Sequence, residues 1–155
     1  MFSFDGYAGA VLTASVHFGR HGRKMTKLVR RWQIELNRVP TMFVSVSLSQ
    51  AGVQDVSVPS GQQAQYADDA KRLIVDFVLQ TGWRPTRILP VAGTLAYMKY
   101  NRALRLVMKW IAKRVGAATD TSQDHEYTDW AALDKTLGEF HEIVQNHEFT
   151  PALEY

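Results

Sequence analysis

Apolar side chains follow two rhythms along this chain. Short continuous runs, AGAVLTA at 8–14, MFVSVSL at 42–48 and TRILPVA at 86–92, are bounded by Gly, Ser or Pro. Such runs predict strands buried on both faces. Pro90 sits awkwardly in the third, because it has no N–H to give a ladder. Between the runs the period changes to three and four. Leu28, Trp32 and Leu36, with Val29 beside them, predict an amphipathic helix over 25–37 whose opposite face is basic. Tyr66, Ala70, Leu73, Ile74, Phe77 and Val78 predict a second over 62–80, closed by Gly82. Leu104, Val107, Met108 and Ile111 mark a basic helix from Asn101 to Val115, and a last helix runs from Asp129, a suitable N-cap, to Gln145. The stretch 49–61 reads as a long loop, a length that is uncommon unless the loop is functional or mobile.

Strands alternating with helices predict an α/β fold, a parallel sheet with flanking helices, with about three strands and four helices. The 155 residues, 46% of them hydrophobic, suffice for one domain spanning 1–155 with a real core. The absence of cysteine excludes a disulfide scaffold, a thiol nucleophile and a Cys-ligated zinc or iron–sulfur centre. No run approaches the ~18 apolar residues of a membrane span. The apolar opening lacks a basic lead and a cleavage site, so a cytoplasmic protein is expected.

Charge is segregated. Arg20 to Arg38 carries seven bases against Glu35, and Lys99 to Arg114 carries six bases and no acid. Asp120 to Tyr155 reverses the sign, with nine acids against Lys135. The basic blocks suit anionic partners, or pairing with the acidic tail.

In open α/β sheets the ligand lies outside the carboxyl ends of the strands, here the segments 15–24, 47–61 and 93–100. The first offers small residues, the Ser15 hydroxyl and the Phe18 ring, and the last offers Gly93, Thr94, Leu95 and Tyr97. Two such loops on one sheet edge could grip a flat heteroaromatic group, although any strand-to-helix loop favours Gly and Ser. His17 and His21, four apart in a Gly-flanked loop without a nearby carboxylate, make a poor metal pair. The acids Asp120, Asp124, Glu126 and Asp129 read as a solvated loop, and no Ser/His/Asp triad can be assembled. The chain has neither an aromatic stacking strand motif nor a Gly-x-x-Gly clamp, which argues against nucleic acid as the partner.

Several segments together go further. They are Ala14-Ser15-Val16-His17-Phe18-Gly19-Arg20-His21, Ser45-Val46-Ser47-Leu48, Trp83-Arg84-Pro85, and Ala92-Gly93-Thr94-Leu95 with Tyr97 and Tyr100. Thr119-Asp120-Thr121-Ser122 and Glu126-Tyr127-Thr128-Asp129-Trp130 complete the set. In order and spacing they closely resemble the flavodoxin-like menaquinone-dependent protoporphyrinogen IX dehydrogenases, from about residue 7 to 141. The resemblance implies a flavodoxin-like sheet, FMN as cofactor, a porphyrinogen substrate, a quinone acceptor, and a role in haem biosynthesis with electron transfer on the flavin. It implies FMN contacts from Ala14, Ser15, Val16, His17, Phe18 and Gly19 and from Gly93, Thr94, Leu95 and Tyr97, with no catalytic acid or base and no metal. Residues 99–116 stand where the family carries an insertion, and the basic helix from Asn101 to Val115 would suit peripheral contact with an anionic membrane or the porphyrin propionates. Relative to that family the fold is N-terminally shortened. The strand, phosphate-binding loop and helix that open a flavodoxin have no counterpart, so the first strand here should have an open edge. That edge invites self-association or a completing chain, and the same residues also fit a cofactor-free interaction module that binds a partner chain or an anionic membrane surface.

Overall fold

The computed structural model describes residues 4, 6–55, 58–95, 122, 125–126 and 128–147. The chain enters β1 (Ala10–His17), turns into the short β2 (Arg20–His21) and continues as α1 (Arg23–Leu36) and β3 (Thr41–Ser47). It then runs through α2 (Leu48–Gln54), α3 (Ser60–Thr81), β4 (Arg87–Ala92), β5 (Thr94–Leu95), β6 (His125–Glu126) and α4 (Trp130–Asn146). The expected helix from Asn101 to Val115 and the expected contact Tyr97 lie outside the described residues.

The sheet order is β2-β1-β3-β4, with β1, β3 and β4 parallel and β2 antiparallel to β1. This is the α/β class that the alternation predicts. Registers are fixed by the rows Ala14↔Ser45↔Pro90 and Ser15↔Val46↔Val91. Pro90 is accommodated because β4 has a strand neighbour on one side only among the described residues, so its missing donor is tolerable there.

Strand alternation sends successive side chains to opposite faces. One face carries Ala14 and Phe43, which with Val29 and Leu36 of α1, Ile74 and Phe77 of α3, and Trp83 form the main core. The other carries Met42, Val44 and Val91 under Phe140 of α4. The indole Nε1 of the fully buried Trp83 donates to Thr41 Oγ1 at 2.9 Å, so the ring packs without an orphaned donor. Asn37, at the end of α1, ties the helix to the turn before β4: its amide donates to Gly82 O and its carbonyl accepts from Arg84 N. Gly82 closes α3 as the sequence predicts, in a left-handed conformation at φ 71°.

Two expectations need correction. The stretch 49–61 is not all loop, because Leu48–Gln54 forms α2. Ser47 caps it, accepting from Gln50 N, and the Ser47-Leu48-Ser49-Gln50 spacing is that of a capping box. The first strand is not buried on both faces either. Ala10, Leu12, Ala14 and Val16 face the core, while Val11, Thr13, Ser15 and His17 are exposed. The reason is coverage: α4 lies over β3 and β4 through Phe140 and Val144, and no described element covers that side of β1. Val11 is left 46% exposed.

Candidate functional site

The carboxyl ends of β1, β3 and β4 converge on one edge. β1 reverses into β2 through Phe18 and Gly19, both at positive φ, 52° and 74°. Two successive positive-φ residues make the tight hairpin whose twist matches its strands. Gly19 adopts this freely, whereas Phe18 is strained and is the only described non-glycine residue with positive φ. Its ring receives nothing for that strain from the core, since Phe18 is 78% exposed. The hairpin is anchored from behind. His21 is buried between Phe43 and Phe77, ring centroids at 5.3 and 4.8 Å, and its Nε2 shares a 2.9 Å hydrogen bond with Ser45 Oγ. Burial lowers the His21 pKa below its ordinary 6.5, favouring the neutral ring. His17, on the opposite face of the hairpin, points to solvent, so the two histidines do not meet.

On the far side of the edge, β4 ends in Gly93. A Cβ there would stand 2.6 Å from Val46 Cγ1, so only glycine fits. β5 then pairs antiparallel with β6, Thr94 opposite Glu126 and Leu95 opposite His125. Thr128 Oγ1 donates to Ala92 O at 2.9 Å, and Asp129 caps α4 by accepting from Ala132 N at 2.9 Å. The Tyr127-Thr128-Asp129-Trp130 motif therefore contributes a clasp on the end of β4 through Thr128 and a helix start through Asp129.

The two expected binding loops do share an edge, but β3 lies between them. Ser15 and Val91 are each one strand away from Val46. A planar ligand reaching from the Phe18 turn to Gly93 must cross the end of β3, at Ser47 and the first turn of α2. Those residues were not among the expected contacts, and the capping-box spacing was the signal that α2 begins there. The recess beside the hairpin, lined by Gly19, Arg20, His21, Leu73, Asp76, Phe77 and Gln80, has a volume of about 60 Å³, too small for a fused ring system. A ligand at this edge would lie over the strand ends, outside that recess.

The parallel sheet with helices packed on it defines an α/β domain, and residues 1–122 match the flavodoxin domain family. The chain belongs to that family. It is 30% identical over 127 residues to protoporphyrinogen IX dehydrogenase (quinone) of Escherichia coli (strain K12), a match covering 82% of this chain and 65% of the relative. It is 27% identical over 134 residues to the protein of the same name from Leishmania major, covering 86% of this chain and 54% of the relative. The chain thus spans between about half and two thirds of the length of these curated relatives. No solved structure matches it significantly. Among the described residues no helix is long and apolar enough to cross a membrane.

Proposed function

We propose that this chain is the FMN-binding domain of an oxidoreductase that takes electrons from protoporphyrinogen IX and delivers them to a quinone, in haem biosynthesis. The observation that carries the reading is Phe18, an aromatic ring exposed on a strained turn at the edge where α/β sheets bind their ligands. The names of its relatives supply the reaction.

The residues fit the planar part of FMN. Phe18 offers a stacking face, Ser15 and Ser47 stand at the ends of neighbouring strands, and Gly93 follows the end of β4 at the far side. With Ala14, Val16, His17 and Gly19 completing the first loop and Thr94, Leu95 and Tyr97 the second, this edge would hold the ring system. FMN supplies hydride and single-electron chemistry when bound. The chain's own part is to orient the ring and shield one face of it. No described residue is assigned as acid or base.

The phosphate is held elsewhere. β1 has no strand neighbour along Ala10–Ser15 on its outer side among the described residues, and its face through Val11 and Thr13 is bare. One more parallel strand with a covering helix would close both, and the turn between them would cradle the phosphate at a helix N-terminus. The test is titration of FMN with the protein, followed by flavin absorbance and fluorescence. Uptake that weakens when Phe18 is replaced supports the reading. Failure to take up FMN both alone and with an added strand-and-helix segment would sink it.

A further inference from the structure

We propose that the apolar groove between α2, α3 and the outer edge of β4 is a binding site for an aliphatic monocarboxylate, with Lys71 receiving the carboxylate. The groove lies at the β4 edge of the sheet, with β3 between it and the β1–β2 hairpin, so this inference is independent of the flavin reading.

Local sequence makes the groove. α2 starts directly at the end of β3, where Ser47 caps it, and packs on both α3 and β4. Among the described residues no strand lies beyond β4 to fill the space under the two helices. On α3 the small Ala67 and Ala70 stand where larger side chains would close that space. The result is a groove of about 490 Å³, within the range of small-molecule sites. Ala70 and Ile74 are buried and form its floor, while Val75 and Ile88, 44% and 42% exposed, stand at its rim beside Val53 and Pro90.

The lining selects the ligand. Among the described residues no aromatic ring lines the groove, so a flat heterocycle finds no stacking face there. None of those lining residues is a carboxylate, so a cationic ligand finds no counter-charge. The polar groups are the Gln50 amide and the Lys71 ammonium, which is the one charge among them. Lys71 is exposed, and no ion pair among the described residues engages it, while the neighbouring Arg72 takes Asp69 at 2.8 Å. Such a lysine lays its stem along an apolar wall and keeps its ammonium at the mouth. Aliphatic walls with a single cation at the mouth are complementary to an aliphatic chain that ends in a carboxylate: the methylenes leave water and the head meets Lys71. The preference is steep in chain length, since each buried methylene is worth roughly fourfold in affinity.

The experiment is calorimetric titration of the full chain with octanoate, decanoate and decyltrimethylammonium, each below the concentration at which it forms micelles. Decanoate should bind saturably, octanoate about tenfold more weakly for its two fewer methylenes, and the cation not at all. Lys71→Gln should weaken decanoate binding several-fold. Ala67→Leu, which fills the groove, should weaken it at least about tenfold, since the methylenes lose their place. Both positions are exposed, and unchanged circular dichroism would show that both variants are folded. Absence of saturable binding overturns the inference, as does equal binding of octanoate or of the cation, or full binding by either variant. A decyl-substituted benzoquinone is the neutral comparison. If it binds more tightly than decanoate and is indifferent to Lys71→Gln, the carboxylate assignment is overturned and the groove belongs to the tail of an uncharged molecule.

Discussion

His21 Nε2 and Ser45 Oγ lie 2.9 Å apart across two strands that are not neighbours in the sheet, β2 and β3. This bond and the flanking rings of Phe43 and Phe77 hold the hairpin on the core. The folded protein holds a neutral His21 whose pKa lies below 6.5, while the unfolded chain titrates near the ordinary value. Between the two the unfolded state binds more protons, so stability is full above about pH 6.5 and falls as pH drops through that window. Urea midpoints measured from pH 7.5 to 5 should decline in the wild type. They should decline less in His21→Gln, which has no ring to protonate.

Phe18 gives a prediction with two opposed signs. A left-handed backbone disfavours it by roughly 1–2 kcal/mol, a strain that Asn or Gly at the same position largely avoids. Phe18→Asn should therefore raise the melting temperature by a few degrees. The same change removes a stacking face worth about 0.5–1.5 kcal/mol, so FMN affinity should fall between two- and tenfold. A variant that is both less stable and equally avid for FMN would contradict the account of the turn.

Gly93→Ala should destabilise by roughly 1–3 kcal/mol, because the new methyl meets Val46 Cγ1 at 2.6 Å. Shortening Val46 to Ala in the same molecule should recover part of the loss. A double-mutant cycle in urea reads this coupling directly, and purely additive effects would show that the contact is not the cause.

Trp83 tests the other end of β3. It is fully buried, and Trp83→Ala should cost about 3–5 kcal/mol by chemical denaturation. Trp83→Phe should cost less, about 1–3 kcal/mol, because a ring remains but the Thr41 hydroxyl loses its donor.

Much of the frame was legible in the sequence because each signal was local. The period of three and four placed α1 and α3, Gly82 marked the end of α3, and Asp129 capped α4. What escaped depended on long-range partners. AGAVLTA reads the same whether or not a helix covers its second face, so the exposure of Val11, Thr13 and Ser15 was invisible in the run itself. The fold of Phe18–Gly19 into a hairpin rests on His21 finding Ser45, twenty-four residues away. The general rule for parallel sheets pointed to the segments after β1, β3 and β4, and the strands that precede them do lie side by side in one parallel sheet. The rule does not say that β3 separates the two loops, because strand order is a property of the assembled sheet.

The clasp at the end of β4 has a consequence for how this architecture can change. Leu95 and His125 are already neighbours, and Thr128 fastens the returning chain to Ala92. The chain positions Leu95 and His125 are therefore held side by side at the end of β4. Doubling a loop closed in this way costs only about 0.6 kcal/mol in chain entropy. The sequence joining Leu95 to His125 can therefore change in length at little cost while β4 and α4 keep their places.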